Sequence, residues 1–374
     1  STQEMLKASA RMFVTEQCPN EVAREIDESE NGFSRELWQY LSQMGWTGML
    51  IPEEYGGAGG GFMDLAVIFE EMGWACMPGP LHSSGVLSAL VLLEGASKEQ
   101  QQVFLPSIAS GDRILGLAYT EPTHSWGPSG VQMEAHRSDG DFVLEGTKLF
   151  VPDAQVADTL IVAARTSHSS DPREGITLFL VEKDSPGLTV HRLSGWTGDR
   201  LNEVSLQGVR VPSSAVLGEI GKAWTCLEPA LDRATAVLCA YMVGGMQQMM
   251  DRSVEYSQNR IAFGVPISTF QRVQDMIISI VNDLEGARWT TYEALWKLDV
   301  GHRDQDVKEA VSIAKAVASE GFIRATENAH YVHGGVSVDK SFGLYLYTKK
   351  SRTLFSYLGD PRYHRRRLAD LIDL

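Results

Sequence analysis

The chain has 374 residues, 43% of them hydrophobic and 22% charged, with a formal net charge of −15. That length predicts two or three domains, and that balance predicts a folded, soluble protein. So acidic a chain excludes nucleic-acid binding and general attachment to membrane surfaces, while a local basic pocket for a phosphorylated ligand stays compatible with it.

Four scattered cysteines, Cys18, Cys76, Cys226 and Cys239, show neither a CxxC pair nor metal-ligand spacing. They read as free thiols of a reducing compartment, and no metal site is expected. No secretory signal pattern is visible, and no uninterrupted apolar run reaches about 18 residues, the length of a membrane span. The cytoplasm is the expected location. A mitochondrial matrix stays open, because the chain begins at Ser1.

Residues 1–113 read as a helical domain. Ser34 is placed to cap a helix that opens with Arg35-Glu36-Leu37-Trp38. Gly56 to Gly61 is read as a flexible loop, since a phosphate loop would end in Lys-Ser/Thr and follow a strand. Met63 to Met77 and Lys98 to Ala109 return to helical spacing.

The pattern changes at about residue 114. Short β-type runs at 115–119, 142–144, 159–163, 176–181, 188–190 and 204–206 are separated by Gly, Asp, Ser and Pro. Residues 114–221 therefore predict a compact antiparallel β domain or barrel. From 222 to 374 the chain is helical again, with long segments at 223–259, 267–299 and 305–332 that predict a bundle. The fold class is α+β and multidomain: helical, β, helical. The tail from Arg362 to Ile372 reads as a basic amphipathic helix with a solvated face or a subunit contact. Early in the first long C-terminal helix, Asp232 directly precedes Arg233. Alone, an acid near a helix start serves the dipole or pairs with a neighbouring cation.

Taken together, pieces spread along nearly the whole chain resemble the acyl-CoA dehydrogenase family. Ile51-Pro-Glu-Glu-Tyr-Gly-Gly57, Ala118-Tyr-Thr-Glu-Pro122, Gly146-Thr-Lys-Leu-Phe150, Leu206 to Pro212, Leu217 to Lys222, Arg260 to Gln271 and His333-Gly-Gly335 occur in family order. The resemblance implies FAD, an acyl-CoA substrate, a homotetramer or heterotetramer, and an electron-transfer flavoprotein as acceptor. It implies that Thr120 serves the pyrimidine edge of the flavin and that Phe150 packs beside the ring. Arg260, Phe263 and Gln271 fall in the motif that reaches the FAD of a neighbouring subunit, and Arg260 is suited to pyrophosphate as a permanently charged donor. Gly334 and Gly335 allow the backbone to approach the dinucleotide. Without the motifs, Phe150 would read as a core aromatic, Arg260 as a surface ion-pair residue and the glycines as a helix-ending turn.

Three departures from the family stand out. The usual Gly-Ser-Asp after Thr-Glu-Pro is replaced by Thr123-His124-Ser125-Trp126-Gly127-Pro128, where Trp126 is placed to narrow or reshape the acyl entrance. The hydroxyl residue expected beside the flavin falls on Pro152, which has no donor. Asp153 or a backbone group is left to supply that contact. The C-terminal catalytic glutamate falls on Leu358, within Tyr357-Leu-Gly-Asp360.

Some branches of the family carry the base instead on the helix after the β domain, directly before an arginine, which here is Asp232. Aspartate is shorter than glutamate by one methylene, about 1.5 Å. The resemblance therefore implies α,β-dehydrogenation with Asp232 as base, Arg233, Trp126 and Leu358 at the substrate, and a branched or cyclic acyl group. Asp360 is the rival base. Two other readings are open: a non-catalytic subunit of a heteromeric dehydrogenase, and an oxidase of the acyl-CoA or nitroalkane type.

Overall fold

The computed structural model describes residues 2–123, 125–196 and 200–374, with Thr2 described in its backbone only; His124 of the departure loop lies outside the described residues. Six helices come first: α1 (Thr2–Gln17), α2 (Asn20–Glu28), α3 (Arg35–Gln43), α4 (Phe62–Trp74), α5 (Ala89–Gly95) and α6 (Lys98–Ala109). Their ends follow side-chain chemistry. Ser34 Oγ accepts from the Leu37 amide, so α3 begins where its cap lies. Ser97 and Gln100 exchange side-chain and backbone bonds in a capping box that starts α6. Between α4 and α5 the stretch Leu81–Ser88 winds as a wider π-helix, a form often found at functional sites.

Eight strands form the middle sheet: β1 (Leu115–Ala118), β2 (Glu134–Ser138), β3 (Asp141–Pro152), β4 (Thr159–Arg165), β5 (Ile176–Glu182), β6 (Leu188–Arg192), β7 (Leu201–Val211) and β8 (Val216–Leu217). The order is β6-β7-β3-β2-β4-β5-β8, with β1 beside β4. The expectation of an antiparallel domain needs refinement at β4: β1 runs parallel to it, from Leu115 opposite Thr159 to Ala118 opposite Val162, and β2 meets it in parallel at Glu134 opposite Arg165. β4 is buried along its whole length and β5 up to its last residue, as strands covered on both faces must be.

The C-terminal part holds α7 (Trp224–Asn259), a short hairpin of β9 (Ile261–Ala262) and β10 (Val265–Pro266), α8 (Gln271–Asp299), α9 (Asp304–His333), α10 (Leu344–Ser356) and α11 (Pro361–Leu371). α7 packs directly on α4 because both carry glycine at the crossing. A Cβ on Gly244 would lie 1.8 Å from the Glu70 carbonyl oxygen, and one on Gly73 would lie 1.9 Å from that of Tyr241. This close approach brings the apolar faces of α4 and α7 to opposite sides of one chamber.

Candidate active site

A cavity of about 170 Å³ opens between the β domain and α10. Its walls include Thr120, Trp126, Phe150, Pro152, Tyr357 and Leu358. Five of the residues singled out in the sequence, from three separate stretches, therefore meet at one place.

Phe150 reaches the cavity through a fault in the sheet. Pairing of β3 with β7 shifts register between Lys148 and Val151, and Phe150 takes a left-handed backbone with φ of 57°. A bulge re-aims a side chain in this way. The ring is 38% exposed, so it is a cavity wall and not a core aromatic. Lys148, one pairing position before the fault, is fully buried and donates to Glu121 Oε1 over 2.6 Å. Glu121 also accepts from the amides of Gln132 and Met133, which ties the segment after Thr120 to the entry of β2 as well as to β3. Burial pulls the Lys148 ammonium down to about 8 against the pull of Glu121.

Leu358 stands opposite, also left-handed with φ of 59°. That conformation is costly for a side chain with a Cβ, and the surroundings enforce it. The fully buried Lys315 Nζ donates to the carbonyls of Leu354 and Gly359, at 2.8 and 2.9 Å. The buried His364 Nε2 donates to the Leu358 carbonyl over 2.9 Å. Asp360 caps α11 by accepting from the Tyr363 amide and lines none of the three cavities described here.

Pro152, Leu201, Thr353 and Tyr357 also wall a second, inner chamber of about 50 Å³. Phe69, Met72, Leu238 and Tyr241 give it an apolar side, while His82, Ser83, Asp153 and Lys350 make the rest polar. Asp153 accepts from Ser83 Oγ at 2.6 Å and is held there by its own left-handed backbone. It thus faces the inner chamber and is absent from the wall of the main cavity. Apart from Asp153, none of these polar residues was marked by sequence reasoning. His82 and Ser83 fall between the helical runs read at 63–77 and 98–109, and Lys350 lies beyond the three long C-terminal segments.

Asp232 lines a small hollow of about 20 Å³ that shares Tyr119, Trp126 and Leu358 with the main cavity. Its carboxylate is 8% exposed and accepts a two-pronged ion pair from Arg367 of α11, at 2.5 and 2.7 Å. Burial raises the Asp232 pKa above the ordinary carboxylate value, while Arg367 opposes the rise. The Trp126 and Tyr363 rings pack 5.6 Å apart across the top of the hollow, joining the β domain to α11. The tail helix is thus more than a solvated basic face. Arg362, Arg365 and Arg366 are exposed, but His364 and Arg367 point inward.

The remaining sequence candidates lie elsewhere. Arg233 pairs with Glu94 of α5 and lines none of the three cavities. Arg260, Phe263, Gln271, Gly334 and Gly335 are all exposed, around the β9–β10 hairpin and at the end of α9. Gly334 has φ of 59° and ψ of −139°, a combination open to glycine.

Family models of the acyl-CoA dehydrogenase N-terminal, middle and C-terminal domains match residues 1–112, 116–209 and 221–372. A probable acyl-CoA dehydrogenase of Bacillus subtilis is 31% identical over 91% of this chain and 90% of its own length. The solved butyryl-CoA dehydrogenase of Megasphaera elsdenii superposes with a TM-score of 0.91 at 26% identity, covering 100% of this chain and 98% of that one. A chain of the ChsE4–ChsE5 complex of Mycobacterium tuberculosis does so with 0.89 at 28%, covering 100% and 97%. The chain belongs to the acyl-CoA dehydrogenase family, FAD-dependent oxidoreductases acting on CH–CH donors. No described helix is long and apolar enough to cross a membrane.

Proposed function

We propose that this chain is an acyl-CoA dehydrogenase in which Asp232 removes the α-proton of a CoA thioester. The carrying observation is the placement of carboxylates. Leu358 occupies the position of the family's usual glutamate and cannot take a proton. Asp232 is the buried acid in a hollow that meets the main cavity at Leu358 itself.

The main cavity suits a flat cofactor ring. Phe150 offers an aromatic face, Thr120 a hydroxyl and backbone edge, and Pro152 an apolar surface without a donor. Bound there, FAD supplies the two-electron acceptor for the β-hydrogen. The chain's own part is to exclude water and hold the base. An α C–H of a thioester is too weak an acid for a carboxylate in water, so the base must be desolvated and the carbonyl polarised. The burial of Asp232 meets the first need.

The outer FAD contacts fall to Arg260, Phe263, Gln271, Gly334 and Gly335. Their exposure in the single chain supports a site completed by a second copy, in a tetramer. An electron-transfer flavoprotein is the proposed acceptor. A branched or cyclic acyl group fits the shifted, shortened base.

The test is anaerobic mixing of Asp232→Asn holoprotein with acyl-CoA thioesters. The parent bleaches its flavin with one of them, and the variant with FAD still bound falls by on the order of 10²-fold or more. Bleaching at the parent rate removes Asp232 as the base. A second reading, a subunit that supports a catalytic partner in a heteromer, draws on the bidentate hold of Arg367 on Asp232. It requires that the chain bind FAD only when paired with a different chain.

A further inference from the structure

We propose that Arg367 is a positioning residue for Asp232: it keeps that carboxylate charged and in one orientation at the edge of the main cavity. The inference rests on the reading of Asp232 as the base.

Three observations carry it. First, the pair is end-on and bidentate, at 2.5 and 2.7 Å, and both side chains are largely withdrawn from water, at 14% and 8% exposure. A buried lone carboxylate would take up a proton and lose its use as a base. The fork of an arginine fixes the plane of a carboxylate as well as its charge. It occupies one lone pair on each oxygen, and a carboxylate has about four, so a proton can still be accepted.

Second, Arg367 is itself held. Glu228 Oε1 lies 3.9 Å from its guanidinium, and Glu228 Oε2 takes 2.9 Å from Lys308, which also pairs with Asp304 at 2.7 Å. Charges of alternating sign thus run from the start of α9 across α7 to α11 and end at Asp232. Third, the hollow keeps unpaired polarity. The buried indole N–H of Trp224 has no partner, and neither has Nδ1 of His364. In so small a space these groups suit one ordered water beside the base.

The titratable groups facing Asp232 are Glu228 from α7, Lys308 from α9, Tyr363, His364 and Arg367 from α11, and Tyr119 from the β domain. Arg367 is the cation in direct contact. Its removal therefore destabilises the carboxylate, and proton abstraction requires a higher pH.

The experiment follows the rate of anaerobic flavin bleaching against pH in the parent, Arg367→Gln and Arg367→Lys. Infrared difference spectra of each against its Asp232→Asn counterpart report the carboxyl group directly. In Arg367→Gln the acid limb should move up by roughly one to three pH units, the effect of a contacting arginine, with a protonated carboxyl band at neutral pH. Arg367→Lys keeps the charge but not the fork, so its limb should stay near the parent's while the plateau rate falls. It also serves if the glutamine variant fails to fold.

A glutamine variant with an unmoved limb and no protonated band overturns the proposal. So does a lysine variant shifted as far as the glutamine one. If Asp232→Asn bleaches at the parent rate, the base assignment fails instead.

Discussion

His364 shows what one buried ring does to the behaviour of the site. Its Nε2 donates to the carbonyl of Leu358, and its Nδ1 is buried without a partner. A second proton, on Nδ1, would put a buried positive charge near Lys315 and Arg367. Burial first, then those cations, push the ring down to about 3 from its ordinary 6.5. The folded state therefore prefers the neutral ring, and the unfolded chain binds the proton more readily. The stabilising contribution is complete above about pH 6.5 and is lost as pH falls through that window toward 3. His364→Gln keeps a donor for the Leu358 carbonyl but cannot titrate. The unfolding midpoint of the parent should fall more steeply than the variant's between pH 7 and 5. Parallel slopes would show that the ring is not neutral in the fold.

At the scale of elements, the turn from Tyr357 to Asp360 holds a strained residue, Leu358, on the wall of the main cavity. Lys315 reaches from α9 to the carbonyls at the end of α10 and in this turn, and Asp360 starts α11. Removing a group that satisfies several buried carbonyls costs about 1–3 kcal/mol for each one left unpaired, so the geometry at 358 does not depend on what side chain is there. Leu358→Glu should therefore put a carboxylate on the wall of the main cavity. In an Asp232→Asn background, the double variant should bleach flavin on the order of 10²-fold faster than Asp232→Asn alone. No gain over the single variant would mean that the turn no longer aims its side chain at the substrate.

These elements differ in how far the sequence reveals them. α6, α7 and α9 carry helical periodicity over many residues, and each was placed to within two residues. β2 was missed because Glu134–Ser138 buries one side chain, Ala135, and is otherwise polar or half-buried. The bulge at Phe150 and the left-handed turns at Asp153 and Leu358 involve non-glycine residues, and composition does not mark them. Arg367 was hidden among four arginines of similar spacing. Only its contact with a residue 135 positions earlier sets it apart.

At the scale of the molecule, the C-terminal part of the chain leaves several large apolar side chains open to water. Phe263 is 96% exposed, Val338 76%, Trp289 70% and Tyr331 69%. Aromatics so open to water mark a contact surface more often than scattered surface apolars do. Phe263, Tyr331 and Val338 neighbour in sequence Arg260, Gln271, Gly334 and Gly335, the motif residues that line none of the three cavities here. A second copy packed on this face would cover the aromatics and complete the outer FAD contacts together. Assembly and flavin retention should then be lost together. The parent holoprotein should sediment as a multimer with one flavin per chain. Trp289→Glu, which lies outside the flavin motifs, should give smaller species that shed FAD on gel filtration, while circular dichroism stays that of a folded chain. A Trp289→Glu protein with unchanged mass and full flavin would place the interface elsewhere. One that dissociates but keeps its flavin would show that each chain completes its own site.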